Sequence, residues 1–386
     1  SGLIFPQFAS HNAQTVAAIH AMACHDDYEF QRLHGMGDAL YAHAHAMFGQ
    51  SVRIYAPVGS HKDLLPYLVR RLLENGANSS FVHRLVDARC PVSDLTSHPV
   101  DMLASRPTLH NPRIPMPNEI FGESRRNSKG VAIDIESEWQ TFDASVQRFM
   151  ATQWQAGPII NGERLLGGEH NVVAPYDHRI DVGVIRWANA HDVDTALSVA
   201  ADNTEAWRTL PTAERGKYLL LLADKLEENL GELVALCHRE AGKTIHDSID
   251  EVREAVDFLR YYPVQAEQVI SDLQTFTRFD GKTAILRREG RGVFTCISPW
   301  NFPLAIFIGQ ISAALVTGNT VVAKPAEQTS LIAFRTIELL LETGIPKGVI
   351  HLLPGSGAVV GSALTGDDRI AGVAFTGSTP TAQRIN

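Results

Sequence analysis

The chain has 386 residues, of which 45% are hydrophobic and 20% are charged, as in an ordinary globular protein. This length exceeds what a single hydrophobic core usually serves, so we expect at least two domains. A net charge of −9 without any block of Lys and Arg argues against nucleic-acid binding, and no nucleic-acid partner is expected. The longest apolar run, residues 304–316, is too short to span a membrane.

The cysteines indicate the redox compartment of the protein, and the chain ends indicate how the sequence relates to a longer polypeptide. The four cysteines lie far apart and show no paired spacing, which indicates a reducing, cytoplasmic compartment. The first residue is Ser rather than Met, no signal-peptide pattern follows it, and the chain ends eight residues after Ser378. We therefore expect the sequence to be an internal piece of a longer polypeptide.

Residues 1–85 alternate short apolar runs with amphipathic stretches. The predicted strands are residues 3–8, 28–33 and 52–56, and the predicted helices are residues 15–24, 38–48 and 63–74. Three successive βα units without a hairpin signal predict parallel strands. Polar side chains follow these strands, and a βα barrel carries its site at the carboxyl ends of its strands.

The rest of the chain divides into a connector and a second α/β domain. Six prolines between Pro91 and Pro117 and the lack of periodicity predict an extended connector, followed by a helix at 136–154. Further helices are predicted at 190–207, 212–229 and 248–270, and strands at 292–298, 320–324, 349–353 and 372–376. This alternation predicts a doubly wound sheet with ligands at the carboxyl ends of its strands. The expected domains are residues 1–85, 86–155 and 156–386.

Three short segments follow predicted strands of the second α/β domain. They are Ser298-Pro299-Trp300-Asn301, Lys324-Pro325-Ala326-Glu327 and Phe375-Thr376-Gly377-Ser378. The Asn301 carboxamide can donate to an oxyanion, and the Glu327 carboxylate can accept from ribose hydroxyls while repelling a 2′-phosphate. Ser378 can cap a helix that faces a pyrophosphate. Each segment also has a plain structural interpretation, as a turn, a solvated Lys/Glu pair or a cap with no ligand.

In this order and spacing, the segments resemble the aldehyde dehydrogenase superfamily over residues 156–386. The resemblance implies a Rossmann-like NAD-binding domain and makes Asn301 the catalytic oxyanion donor. It places the following residues around NAD: Ile297, Ser298, Pro299, Trp300, Lys324, Glu327, Gly357, Phe375, Thr376, Gly377 and Ser378. The nucleophilic Cys and general-base Glu of the family are expected beyond the last residue of this chain. Cys296 lies inside an apolar strand and is interpreted as a buried core thiol.

In the first domain, the helix predicted at 63–74 carries apolar pairs on one face and two adjacent arginines, Arg70 and Arg71, on the other. Adjacent arginines can clamp a carboxylate. The alternative is a solvated surface with an ion pair between Arg70 and Glu74. His11 can belong to a site or cap a helix. No cluster of histidines with cysteines or carboxylates has ligand spacing, so no metal is expected.

Residues 5–12, 29–37 and 67–78 resemble the C-terminal part of a proline dehydrogenase (βα)8 barrel. Together with the second domain, they resemble the bifunctional proline utilization A flavoenzymes over nearly the whole chain. That resemblance implies a proline site formed by Leu33, Tyr55, Arg70 and Arg71. It also implies that FAD is contacted by Ser10, His11, Asn12, Gln31 and Glu74. The family often has Thr where this chain has Ser10, and the hydroxyl is kept.

The resemblance implies oxidation of L-proline to pyrroline-5-carboxylate with FAD, then oxidation of L-glutamate γ-semialdehyde to L-glutamate with NAD. A quinone as electron acceptor, a homo-oligomer and peripheral association with the inner membrane are further expectations. The chain by itself is expected to have neither activity. Two alternatives stay open: a stand-alone NAD-dependent aldehyde dehydrogenase with an unrelated N-terminal extension, and a non-catalytic NAD-binding module.

Overall fold

The computed structural model describes residues 3–76, 81–168, 170–270 and 274–386. These residues form two compact units, Ser1–Arg113 and Ile114–Asn386. We call them unit 1 and unit 2. The three-part domain division expected from the sequence stays a prediction.

Unit 1 begins with three βα units. Its first elements are β1 (Gln7–Ala9), α1 (Ala13–Met22), β2 (Glu29–Leu33), α2 (Asp38–Phe48), β3 (Val52–Tyr55) and α3 (His61–Gly76). The strands form one parallel sheet in the order β1-β2-β3, which confirms the predicted parallel arrangement. The first strand was expected at residues 3–8. It starts later because Pro6 has no N–H to donate to a strand ladder.

Part of the predicted extended connector is helical rather than extended. Three short helices follow in unit 1: α4 (Phe81–Val86), α5 (Val92–Thr96) and α6 (Pro99–Ala104). Prolines begin two of them, since Pro91 is the N-cap of α5 and Pro99 is the first residue of α6. A proline has no N–H to lose at a helix start, so prolines that suggested a connector mark helix starts instead.

Unit 2 contains single 3₁₀ turns at Pro117–Glu119, Gly122–Ser124, Glu327–Thr329 and Lys347–Val349. Its helices are α7 (Glu136–Gln147), α8 (Ala190–Arg208), α9 (Thr212–Glu228), α10 (Leu230–Ala241), α11 (Ile245–Ile270), α12 (Ala305–Val316), α13 (Ser330–Leu341), α14 (Ser362–Thr365) and α15 (Thr379–Ile385). Its strands are β4 (Trp154–Ala156), β5 (Ile159–Ile160), β6 (Glu163–Arg164), β7 (His170–Ala174), β8 (Asp177–Ile185), β9 (Gln274–Thr277), β10 (Thr283–Leu286), β11 (Val293–Ile297), β12 (Thr320–Lys324), β13 (Ile350–Leu352) and β14 (Ile370–Phe375).

Two predictions for the helices of unit 2 need correction. The helix expected at 136–154 ends at Gln147, and Trp154 begins strand β4, where its ring packs under the Arg239 guanidinium. Helix α10 was not predicted as a separate element. It follows α9 after Asn229 alone, so the periodic patterns of the two helices run together in the sequence.

The central sheet of unit 2 has the strand order β14-β11-β12-β13-β5-β6. The first four of these strands are mutually parallel, and β5 and β6 are antiparallel additions at the edge. In chain order the parallel strands read 4-1-2-3, so the winding direction reverses between β11 and β14. Ligands of open α/β sheets bind at such a switch point. The predicted doubly wound fold is confirmed.

The large apolar core of unit 2 lies between this sheet and helices α9 to α13. A three-stranded sheet in the order β4-β8-β7 and the β9–β10 hairpin complete the unit. In the described ranges, no helix combines the length and the apolar character that crossing a membrane requires. The same ranges contain no group of three or more His, Cys, Asp and Glu side chains arranged to hold a metal ion.

Candidate active sites

The carboxyl ends of three parallel strands of unit 2 lie side by side. Ile297 at the end of β11 pairs with Lys324 of β12 on one side and with Phe375 of β14 on the other. Beyond these pairs, the Ser298 amide donates to the Lys324 carbonyl at 3.3 Å, and the Thr376 amide donates to the Ile297 carbonyl at 3.1 Å. The structure therefore brings together the three segments that the sequence analysis singled out.

The segment after β11 combines a buried hydroxyl with exposed side chains. Ser298 is 6% exposed, and its Oγ has no hydrogen-bond partner among the described residues. Trp300 is 58% exposed and Asn301 is also exposed, while Pro299 is half-buried between them and the strand. A buried hydroxyl without a partner is costly, which makes Ser298 an unusual feature of this strand end.

The segment after β12 places a lysine and a glutamate at the same edge. The Lys324 side chain is buried, and its Nζ donates to the Pro325 carbonyl at 3.0 Å. Burial lowers the pKa of Lys324, and the nearby Glu327 opposes that shift. Glu327 is exposed, and its Oε1 accepts the Gly357 amide at 2.8 Å. Two residues predicted to contact NAD are thus joined directly, although 30 positions separate them in the sequence.

The glycine-rich segment after β13 is built on a single π-helical turn, Gly357–Gly361. The Ser356 hydroxyl caps this turn by accepting the Val359 amide at 3.2 Å. A Cβ added at Gly361 would lie 3.8 Å from the Lys324 side chain, which is ordinary contact. Because π turns inside helices often mark functional positions, this turn fits a place at the candidate site.

The segment after β14 ends at a helix start, as predicted. Ser378 is the N-cap of α15, and its Oγ accepts the Thr381 amide at 3.4 Å. Gly377 has a steric reason to be glycine, since a Cβ there would lie 2.6 Å from the ring of Phe375. The segment can therefore turn sharply over the end of its own strand.

Three side chains that hold these segments were not among the predicted site residues. The Gln310 amide of α12 lies 2.9 Å from the Thr376 hydroxyl. Two buried glutamates, Glu251 of α11 and Glu240 of α10, accept backbone amides at the starts of α12 and α13. The sequence contained a signal for the two glutamates, because each lies among the apolar residues on the buried face of its helix.

The prediction that Cys296 is a core thiol is confirmed. The side chain is 1% exposed within β11. Burial raises the pKa of the Cys296 thiol to about 12, so the thiolate form needed for nucleophilic attack is not populated at neutral pH.

Unit 1 contains a second candidate site, a cleft of about 690 Å³ at the carboxyl ends of its strands. It is lined by Ala9, Ser10, His11, Asn12, Gln31, Arg32, Leu33, Tyr55, Tyr67, Arg71, Glu74 and Phe81. Eight of the nine residues predicted to contact proline or FAD are among them, and Arg70 is not. Arg32, Tyr67 and Phe81 were not predicted as site residues, although Arg32 lies in the same run after β2 as Gln31 and Leu33.

Hydrogen bonds at the strand ends orient the polar side chains of this cleft. The Ser10 hydroxyl accepts the Asn12 amide at 3.1 Å, and Asn12 caps α1 by accepting the Gln14 amide at 2.9 Å. The His11 Nε2 lies 3.4 Å from the Leu33 amide, which donates to it. Burial, and secondarily Arg32, lower the pKa of His11, whereas Glu74 opposes the shift. The ring is therefore neutral at neutral pH with its proton on Nδ1.

The two arginines of α3 occupy different surroundings. Arg71 lines the cleft, its Nη1 lies 2.7 Å from Glu74 Oε2, and its guanidinium lies 5.6 Å from the centre of the Tyr67 ring. Arg70 is exposed. The surface alternative paired Glu74 with Arg70, but the ion pair observed joins Glu74 to Arg71 within the cleft lining. The assignment of both arginines to a proline site stays a prediction.

Comparisons with known proteins identify both parts of the chain. Residues 166–386 match the aldehyde dehydrogenase family, and residues 1–84 match the proline dehydrogenase family. The bifunctional protein PutA of Escherichia coli (strain K12) is 45% identical over 395 aligned residues, which cover 98% of this chain and 29% of PutA.

Solved structures agree. A crystal structure of a Bradyrhizobium japonicum proline utilization A (PutA) mutant superimposes with a TM-score of 0.71 at 42% identity, covering 99% of this chain and 36% of that one. A Thermus 1-pyrroline-5-carboxylate dehydrogenase with bound NAD superimposes with a TM-score of 0.60 at 28% identity, covering 67% of this chain and 51% of that one.

The matches bear on the alternatives as well as on the family. The chain spans 29% of the length of the E. coli relative and 36% of the B. japonicum structure. Because residues 1–84 match a second enzyme family, the alternative of an unrelated N-terminal extension is not favoured. The chain belongs to the aldehyde dehydrogenase family, its residues 1–84 match the proline dehydrogenase family, and it resembles the bifunctional PutA proteins along nearly its whole length.

Proposed function

We propose that the complete polypeptide carrying this chain is a bifunctional oxidoreductase of proline catabolism. Its first activity would oxidise L-proline to pyrroline-5-carboxylate with FAD. Its second would oxidise L-glutamate γ-semialdehyde to L-glutamate with NAD. The two family matches and the 45% identity to a bifunctional PutA protein support this proposal.

The observation that carries the proposal is the alignment of the strand ends at the switch point between β11 and β14. Bound there, NAD would supply a hydride acceptor. The lining would be Ile297, Ser298, Pro299, Trp300, Gly357, Phe375, Thr376, Gly377 and Ser378. The exposed carboxylate of Glu327 fits a ligand rich in hydroxyl groups.

Asn301 has the chemistry of an oxyanion donor. Its carboxamide is exposed at the same edge and carries two N–H groups. A donor aimed at the place where negative charge develops lowers the barrier to acyl-type chemistry. In this proposal Asn301 stabilises the oxyanion formed when a thiolate attacks the aldehyde carbon. Cys296 does not supply that thiolate, because it is buried and its pKa is raised to about 12.

The unit 1 cleft supports the first activity. Arg71, with Arg70 on the same helix, would bind the proline carboxylate, and Leu33 and Tyr55 would contact the ring. Ser10, His11, Asn12, Gln31 and Glu74 would contact FAD, which would supply an electron acceptor when bound. The neutral His11 and the backbone-bonded Ser10 and Asn12 form a polar wall, which fits the donor and acceptor groups of a flavin nucleotide.

Glu74 and Arg71 already form an ion pair at 2.7 Å, so a bound carboxylate would share the Arg71 guanidinium with Glu74. A guanidinium has five N–H donors and can serve both anions. We further propose a quinone as the final electron acceptor, and a homo-oligomeric assembly of the complete polypeptide. Both proposals rest on the resemblance to the PutA proteins.

Substitution of the two arginines tests the proline site in the complete polypeptide. Replacing Arg71 with Met removes a charge-assisted bond worth about 1.5–3 kcal/mol, which lowers kcat/KM for proline by roughly tenfold to over a hundredfold. Arg70→Met is the matched variant on the exposed side of the same helix, and we expect a loss in the same direction. The measurement is the rate of flavin reduction by proline in a stopped-flow instrument.

Aldehyde oxidation, assayed with semialdehyde supplied directly and NAD, is the internal control and should be nearly unchanged in both arginine variants. Normal flavin reduction in Arg71→Met would support the alternative in which this face of α3 is a solvated surface. Exposed ion pairs contribute only about 0–1 kcal/mol, so their loss would change little. A wild-type polypeptide that binds NAD without oxidising aldehyde would instead favour the non-catalytic NAD-binding module.

A further inference from the structure

Helices α12 and α13 begin at the candidate NAD site without a side-chain cap of their own. The N-cap residues are Leu304 for α12 and Thr329 for α13, and neither side chain bonds the first turn. The first amides of a helix need acceptors, and leaving them unpaired inside a protein is costly. Both helices obtain their acceptors from distant carboxylates.

Glu251 serves α12. It is 1% exposed, and its Oε1 accepts the Leu304 amide at 2.9 Å and the Ala305 amide at 2.8 Å. Its other oxygen, Oε2, lies 2.8 Å from the ammonium of Lys243, which is itself largely buried. A negative charge is favoured at a helix N-terminus, and a buried carboxylate needs a partner of opposite charge. Lys243 supplies that partner.

The same pair contacts the segment after β11. The Lys243 ammonium lies 4.4 Å from the centre of the Phe302 ring, within cation–π distance. Only Phe302 and Pro303 separate Asn301 from Leu304, and the proline ring restricts the backbone there. On the other side, the Ser298 amide is bonded to the Lys324 carbonyl of the sheet. The short Trp300–Asn301 stretch is therefore held at both ends, by the sheet and by Glu251 with Lys243.

We propose that Glu251, paired with Lys243, is a positioning residue that sets the place of Asn301 for aldehyde oxidation. This inference rests on the proposed function, in which Asn301 donates to the oxyanion. Neither Glu251 nor Lys243 needs to touch substrate or cofactor for this role. They act through the backbone of residues 302–305.

Glu240 provides a matched comparison in the same unit. It is also buried, and its two carboxyl oxygens accept the Leu331 amide at 2.7 Å and the Ile332 amide at 2.9 Å at the start of α13. The segment in front of α13 carries Glu327, which is assigned to the ribose. Loss of the Glu240 bonds is therefore expected to disturb cofactor binding, whereas loss of the Glu251 bonds is expected to disturb the chemical step.

The first experiment measures kinetics in the complete polypeptide. In Glu251→Gln the amide oxygen can accept the Leu304 and Ala305 amides only with the side-chain NH₂ facing the Lys243 ammonium, so two donors meet where the ion pair stood. We expect kcat for semialdehyde oxidation to fall about tenfold to a hundredfold, since a displacement of ~1 Å can cost ~10²-fold. The KM for NAD should stay within about threefold of wild type. Lys243→Met should likewise lower kcat while leaving the KM for NAD near its wild-type value. Lys243→Arg, which keeps the positive charge, should retain most of the wild-type kcat. Glu240→Gln should raise the KM for NAD more than it lowers kcat.

The second experiment does not depend on activity. Amide hydrogen exchange at Leu304 and Ala305, followed in this 386-residue chain, should be faster in Glu251→Gln than in wild type and unchanged in Glu240→Gln. Wild-type kcat in both Glu251→Gln and Lys243→Met would overturn the positioning role, even if the melting temperature fell. A wild-type polypeptide that neither binds NAD nor oxidises aldehyde would overturn the proposed function and this inference with it. An active wild type with unaffected variants would overturn the inference alone.

Discussion

Among single residues, Lys324 and Glu327 each make a hydrogen bond within the protein at the candidate NAD site, and these bonds fix where their charges lie. The Lys324 ammonium is buried and donates to the Pro325 carbonyl, so in the proposed site it would contact NAD from the protein side. Glu327 is exposed, and one of its oxygens is bonded to the Gly357 amide. That bond holds the carboxylate in place, and in the proposed NAD site its charge would oppose a 2′-phosphate.

Replacing Glu327 with Gln in the complete polypeptide should narrow its preference for NAD over NADP. The amide keeps an oxygen that can accept the Gly357 amide, so the loop is retained while the negative charge is lost. The measurement is the ratio of kcat/KM for the two cofactors. Glu228→Gln, at the exposed end of α9, is the control that removes one charge elsewhere. An unchanged ratio in Glu327→Gln would show that Glu327 does not face the ribose.

At the scale of elements, one buried histidine joins the edge hairpin to the parallel part of the sheet. His351 of β13 is fully buried, and its Nδ1 accepts the Asn161 amide at 3.1 Å. Its Nε2 donates to the Gly348 carbonyl at 3.1 Å. Asn161 and Gly162 form the turn between β5 and β6, with φ values of 50° and 74° that favour this residue pair. The bonds require a neutral ring with its proton on Nε2.

Burial lowers the pKa of His351 from 6.5 to about 4, and the Gly348 carbonyl opposes that shift. Between these two values the unfolded chain binds a proton that the folded chain does not, so the free energy of unfolding falls as the pH falls. The contribution is fully present above about pH 6.5 and is lost as the pH falls to about 4, with a size on the order of 3 kcal/mol.

We expect His351→Gln to lose less stability than wild type between pH 6.5 and 4.5, although it is less stable at pH 7. Urea unfolding at each pH provides the measurement. His191→Gln, at an exposed position of α8, should follow the wild-type pH dependence. Parallel pH profiles for wild type and His351→Gln would contradict the assignment of a neutral buried ring.

At the scale of the whole molecule, the two units differ in how much apolar surface they bury. The described core of unit 1 is one small cluster formed by Val16, Tyr28, Phe30, Tyr41 and Ala44. Several apolar side chains of α3, including Leu68 and Leu73, are exposed. Unit 2 has a far larger core. Because stabilisation scales with the apolar area removed from water, unit 1 is expected to be the less stable of the two.

The tryptophans make this difference measurable. All five lie in unit 2, at Trp139, Trp154, Trp187, Trp207 and Trp300. In a urea titration we expect far-UV circular dichroism, which reports both units, to change at lower urea than tryptophan fluorescence does. A fragment of residues 114–386 should keep the same fluorescence midpoint. Coincident transitions by both signals would contradict independent stability and indicate a single cooperative unit.

Much of this architecture was predictable because it depends on patterns within a few residues of one another. Strand β12 was predicted with its observed bounds, since a short apolar run ends at Lys324 and Pro325. The parallel sheets followed from alternating strand and helix patterns. Errors came where local signals have two meanings, as at Pro91 and Pro99, which start short helices instead of breaking structure.

The family resemblance, the βα alternation and the residues after β11, β12 and β14 were readable from short stretches of sequence, because hydrophobic period and side-chain chemistry are properties of neighbouring residues. The fold was needed to show that Glu251 accepts amides 53 and 54 positions away, and that Arg71 lines the unit 1 cleft while Arg70 is exposed. Such contacts depend on how helices pack over strands and on the rotation of each helix. The order of residue types along the chain does not specify the packing or the rotation of a helix, because both are set by the burial of the whole core.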